Sequence, residues 1–135
     1  MSSDNQNNLQ QIPLLTFNSL YNILREEKKV RALQTLPELF YEAIDKYMND
    51  KKNEIGVLKQ KGEKEKFRKE KHIFDNSKKI IEELINIRCV KIANIAIKNE
   101  IFGEGSLEKN NILEKEEYFF QDIAKATSKF SRFTK

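Results

Sequence analysis

The stretch from Ile73 to Ile97 constrains the fold most, because its apolar residues recur at helical spacing yet do not keep to one side. At about 100° per residue, Ile73, Phe74, Ile80, Ile81, Leu84 and Ile85 fall on one stripe. After Val90 the apolar positions are Ile92, Ala93, Ile95, Ala96 and Ile97, centred about 100° further round. Lys91, Asn94 and Lys98 then hold the polar side. A helix that changes its buried face midway has changed its neighbour, so this segment predicts a helical module with a second surface to cover.

The rest of the chain is read as helical too. It holds only two prolines and four glycines, and Lys, Glu, Asn, Leu and Ile dominate, a mix that favours helices over a turn-rich β fold. Its 135 residues fit one domain able to bury a core, and 39% hydrophobic content is ordinary for a folded protein. Thr16 reads as the N-cap of a first helix that carries Phe17, Leu20, Tyr21 and Leu24 and runs to Lys29. Pro37 fits the first turn of a second helix, which extends to about Asn49 and buries Leu36, Phe40, Ala43, Ile44 and Tyr47. Residues 50–62 are too polar to specify a core and read as loop or frayed helix. The long helix is expected from about Glu63 to Ile101, with the glycines of Phe102-Gly103-Glu104-Gly105-Ser106 as a break. A last helix follows from about Leu107 or Asn111 to Phe130, with Ile112, Leu113, Phe120, Ile123, Ala124, Thr127 and Phe130 on one face and Glu116 lying within it. Residues 1–14 read as a flexible tail, 15–130 as the helical domain, and 131–135 as a linker start or chain end.

Few residues suggest chemistry. His72 is the only histidine, with no nucleophile or ligand set placed to join it. Gly103 and Gly105 lack the Lys-Ser/Thr of a phosphate loop. The pairs Glu82-Glu83 and Glu116-Glu117 are adjacent, so their side chains diverge on a helix and cannot flank a substrate. A noncatalytic protein with no cofactor or metal is therefore expected. Cys89 stands alone, which leaves no intrachain disulfide and fits a reducing compartment. The first residues have neither the basic start nor the apolar core of a secretory signal, and no apolar run reaches the roughly 18 residues of a spanning helix.

Three groups stand out as candidate contacts. Between Lys51 and Lys71 there are nine Lys or Arg against four Glu. Lys59, Lys61, Lys64, Lys66, Arg68, Lys69 and Lys71 are the candidates for a nucleic-acid contact, although the alternation with Glu equally fits a solvated face. Arg88 lies near the middle of the first apolar stripe. Buried there, it needs a partner: an acid on the first or second helix, or acceptors on another subunit. Tyr118, Phe119 and Phe120 are consecutive and cannot all enter one core. Val90 and Ile97 fall on the line that Lys79, Glu83 and Asn86 occupy earlier. Arg88, Val90, Ile97, Tyr118 and Phe119 are accordingly expected at a subunit interface.

In order, these features resemble the helical domain of a GINS subunit, of the replication factor family. The resemblance rests first on Leu20-Tyr21-Asn22-Ile23-Leu24-Arg25-Glu26-Glu27 with Leu33-Gln34-Thr35-Leu36-Pro37. It continues in Pro37-Glu38-Leu39-Phe40-Tyr41-Glu42-Ala43-Ile44-Asp45-Lys46-Tyr47, then in Ile80 to Arg88 followed by Lys91-Ile92 and Ala96. Leu113, Glu116-Glu117 and Tyr118 resemble the opening of the family's next helix. The likeness is to the archaeal type, with its helical domain first. It implies an all-α, elongated antiparallel bundle with one long central helix, packed against other GINS subunits in a homo- or heterotetramer. It further implies a noncatalytic role bridging and stimulating the MCM helicase and a partner of the Cdc45 or RecJ-like kind, without a membrane. The location implied is cytoplasmic in an archaeon and nuclear in a eukaryote. The family usually carries a further small C-terminal β domain, which the sequence up to Lys135 does not include; either the chain is truncated in the linker or the protein lacks the domain. A basic DNA-binding module and a freestanding homodimer are the alternatives.

Overall fold

The computed structural model describes residues 11–103 and 107–131. Among these the chain is all-helical: α1 spans Phe17–Lys29, α2 Phe40–Lys61, α3 Lys64–Phe102 and α4 Glu117–Ser131, with short 3-10 turns at Leu107–Asn111 and Glu114–Glu116. Two compact units share these elements. One comprises residues up to 22 together with 39–81, the other 23–38 together with residues from 82 onward.

The first unit begins as expected. Thr16 Oγ1 accepts from the Ser19 N–H at 3.1 Å and Ser19 Oγ accepts from the Thr16 N–H at 2.8 Å, a reciprocal cap that fixes the start of α1. Leu15 and Leu20, at the staple positions around that cap, are both buried. Tyr21, which shares the helical spacing of Leu20 and Leu24, is exposed.

Helix α2 differs from expectation at both ends. It starts at Phe40, so Pro37 precedes the helix and leads into a turn rather than standing in its first turn. It then continues to Lys61 through the segment read as a loop. The absence of an apolar stripe over 50–62 did not prevent helix there, because Lys, Glu, Gln and Leu carry good intrinsic propensity. Its buried residues, Phe40, Ala43, Ile44 and Tyr47, are those the spacing selected. Ser77 Oγ donates to the Ile73 carbonyl at 2.8 Å, leaving its lone pairs to receive the Tyr47 hydroxyl at 2.9 Å.

Gly62 stops α2. At φ 72 and ψ 20 it takes the left-handed conformation, its N–H bonds to the Lys59 carbonyl, and the Glu63 N–H bonds to the Leu58 carbonyl. This is a Schellman closure, which a Cβ disfavours. Gly56, by contrast, lies inside α2 with open space where a Cβ would stand. The same change therefore has opposite signs at the two positions. Gly56→Ala is expected to stabilise by about 0.5–1 kcal/mol and Gly62→Ala to destabilise by about 1 kcal/mol, both measurable by urea unfolding.

On α3 the first unit buries Ser77, Ile80 and Ile81, and the second buries Leu84, Arg88, Ile92, Ile95 and Ala96. Lys91, read as holding the polar side, has a side chain only 14% exposed.

In the second unit, Leu33, Ile92, Ile95, Ala96 and Phe120 form a buried cluster, with Ile112, Ile123 and Ala124 packed against it. The last helix opens at Glu117, later than the Leu107 or Asn111 expected, because 3-10 turns occupy Leu107–Asn111 and Glu114–Glu116. Phe130, expected on its apolar face, is 72% exposed. The Glu104 to Ser106 part of the expected break, the tail through Gln10 and the end from Arg132 lie outside the described residues.

Candidate functional site

The second unit holds a buried set of four charged side chains, two cationic and two anionic, beside its apolar cluster. Arg88 on α3 is 1% exposed, Glu27 in the last turn of α1 is 0% exposed and Glu116 is 6% exposed. Arg88 Nε donates to Glu116 Oε2 at 2.7 Å and Nη2 donates to Glu116 Oε1 at 3.0 Å, a two-point pairing of fork and carboxylate. Arg88 Nη1 donates to Glu27 Oε1 at 2.9 Å and to the Gln34 carbonyl at 3.0 Å, while Nη2 reaches the Asn111 carbonyl at 3.2 Å. All five guanidinium N–H donors are thus engaged within the chain.

Lys91, one turn on, donates to Glu27 Oε2 at 2.8 Å and to three carbonyls: Glu27 at 2.6 Å, Val30 at 2.8 Å and Ala32 at 2.9 Å. Its ammonium therefore caps the end of α1 from outside, where carbonyls lack intrahelical partners and the helix dipole favours positive charge. Glu27 also accepts from the Gln34 side chain and backbone. Asn111 Nδ2 donates to the Leu33 carbonyl and its Oδ1 accepts from Thr35. Glu116 Oε1 accepts from the Leu113 N–H, closing the 3-10 turn.

These bonds answer a backbone problem. Residues 30–36 are irregular and the chain leaves its first 3-10 turn over 111–113, so polar groups of their backbone have no helical partners. Arg88, Lys91, Asn111 and Glu116 supply those partners, which lets irregular chain lie against α3. No buried side-chain nitrogen or oxygen among the described residues lacks a hydrogen bond.

The electrostatics follow. Burial alone pushes the Glu27 carboxyl up, but hydrogen bonds from Lys91, Gln34 and Arg88 outweigh it and hold its pKa below the ordinary value. Burial pulls Arg88 down, and Glu116 and then Glu27 more than restore it. Burial, reinforced by Glu116, pushes the half-buried Cys89 thiol up, which disfavours the reactive thiolate. Within the cluster every charged atom is committed to another part of the chain, so it reads as a positioning centre with no free acid or base.

The expected interface residues separate accordingly. Arg88 faces inward, and the intramolecular ion pair weighed for it is the arrangement found; its donors are spent and it is not exposed to another subunit. Val90 is 62% exposed, Tyr118 83% and Phe119 36%, whereas Phe120 is buried, as three consecutive helical positions require. Ile97 is half-buried. Ile101 and Phe102 are also exposed, although the sequence reading did not single them out for an interface.

The basic residues belong to the first unit. Lys59 and Lys61 end α2, and Lys64, Lys66, Arg68, Lys69 and Lys71 open α3 across the Gly62 turn, all exposed. Lys66 pairs with Glu63 and Lys71 with Asp75, while Lys59, Lys61, Lys64, Arg68 and Lys69 form no ion pair among the described residues. His72 is exposed, with Nε2 at 3.2 Å from the Asn76 amide. Among the described residues no three His, Cys, Asp or Glu side chains gather as a metal site, and no helix is long and apolar enough to cross a membrane.

No protein-family model matches the chain, and neither a curated protein nor a solved structure matches it.

Proposed function

We propose that the chain is a noncatalytic scaffold subunit of a GINS-type complex, its helical portion being the elongated antiparallel bundle of that family. In this reading it packs against sister subunits and helps to bridge an MCM helicase with a Cdc45 or RecJ-like partner. The observation that carries the reading is the number of large apolar side chains that the second unit exposes: Val90, Ile101, Phe102, Tyr118 and Phe119. Exposed aromatic and aliphatic side chains on this scale mark contact surfaces, and aromatics are enriched where binding energy concentrates. A stable subunit contact buries roughly 1,200–2,000 Å² and would cover such a surface. The ordered motifs from Leu20 to Tyr118 supply the family. Arg88 takes a different part from the one first expected, holding the connectors around α3 in place.

Light scattering of the purified chain, alone and co-expressed with a second GINS subunit, tests this. The expected result is a particle heavier than the 16.0 kDa chain. Val90→Glu with Tyr118→Glu, both at exposed positions, should return it to the monomer with its helical circular dichroism intact. A chain that stays monomeric in both preparations refutes the scaffold reading, and one that forms only a homodimer supports the freestanding alternative.

A further inference from the structure

The hairpin joining α2 to α3 lies within the first unit. A hollow of about 380 Å³ opens beside the Gly62 turn, within the size range of ligand-binding clefts. Leu58 from α2 and Phe67 from α3 give it an apolar lining, and Lys59, Lys64 and Arg68 also line it. Lys64, Phe67 and Arg68 stand three and four residues apart, so α3 presents them on one face. Glu63 is the one acid in the lining, and Lys66 offsets it at 3.3 Å. The three lining cations are exposed and have no ion-pair partner among the described residues, unlike Lys51, which is held by Glu54 and Glu70.

We infer that this hairpin binds an acidic peptide segment which inserts one aliphatic or aromatic side chain against Leu58 and Phe67 while its carboxylates meet Lys59, Lys64 and Arg68. The mixture of charge and apolar lining decides between partners. A duplex would use the cations through its phosphates but gain nothing from the hollow, since its bases are stacked within the helix. An acidic peptide with an apolar anchor uses both, the charges giving rate and register and the anchor affinity.

The test uses the full chain and a short fluorescein-labelled Asp/Glu-rich peptide with a central Phe-Leu pair, followed by anisotropy. Saturable binding is expected. It should weaken about tenfold when the Phe-Leu pair is replaced by Ser-Ser. Lys64→Glu with Arg68→Glu, exposed positions that leave helical content unchanged, should weaken it at least about fivefold. Absence of saturable binding overturns the inference, as does equal affinity for the Ser-Ser peptide. Tighter binding of duplex DNA, of a single-stranded oligonucleotide with bases to stack on Phe67, or of phosphatidylglycerol vesicles than of the peptide also overturns it, and assigns the hairpin to a phosphate-bearing ligand instead. None of these readouts depends on subunit assembly, so the inference and the scaffold reading fail independently.

Discussion

Arg88→Ala is expected to remove about 3–5 kcal/mol of stability, because it leaves Glu116 buried without the guanidinium and Glu27 with Lys91 as its one cation. A domain holds only about 5–15 kcal/mol in total, so this loss places the second unit near its unfolding threshold. The cost is more than one ion pair: the carbonyls of Gln34 and Asn111 lose their donor as well. Arg88→Lys should recover little. A lysine presents three donors from one point and cannot make the two-point contact to Glu116 while also reaching Glu27 and both carbonyls. Combining Arg88→Ala with Glu116→Gln should cost less than the two changes summed, since the second removes the charge that the first strands. Urea unfolding followed by circular dichroism measures the total. Amide exchange places the loss, which should be greatest at residues 30–36 and 111–124. A thermal midpoint shift of only about a degree or two, with exchange unchanged in those segments, would mean that the cluster does not hold them.

Arg88 was legible in the sequence because it is a cation in the middle of an apolar stripe, and such a residue must be paired. Glu116 carried the mirror signal, an acid lying within the apolar face of its own segment. Glu27 was legible by the same rule but easily missed: it follows Leu20 and Leu24 at seven and three residues, so α1 continues its buried line with a carboxylate. Lys91 could not be placed by periodicity, which counts a lysine as outside whatever its ammonium finds. Its targets are carbonyls, and a carbonyl without a partner leaves no mark in residue identity. The limits of α3 were read within a residue of Lys64–Phe102, because glycines flank it. The reach of α2 was not, because residues 50–61 form helix through propensity and hairpin geometry with little apolar patterning.

Glu27→Gln is expected to destabilise the chain by about 2–3 kcal/mol at neutral pH and to flatten its response to acid. The folded-state pKa of Glu27 is lowered below its ordinary value of 4.5 by Lys91, Gln34 and Arg88 acting against burial. Its contribution is therefore complete above the unfolded pKa and is lost as pH falls through the folded one, where the unfolded chain already holds the proton. Wild-type stability should decline as pH drops below about 4.5, and this carboxyl accounts for part of the slope. Glutamine keeps the shape of Glu27, but its amide nitrogen cannot accept, so two of the four hydrogen bonds to the carboxylate are lost and Glu116 is left as the only anion of the cluster. The variant should accordingly start lower at about pH 7 and lose less between about pH 5 and pH 3. Urea unfolding at these three pH values separates the effects. Parallel curves for wild type and variant would assign the acid sensitivity to other carboxylates. Equal stability at neutral pH would mean that a neutral amide at this position supports the two cations as well as the Glu27 carboxylate does.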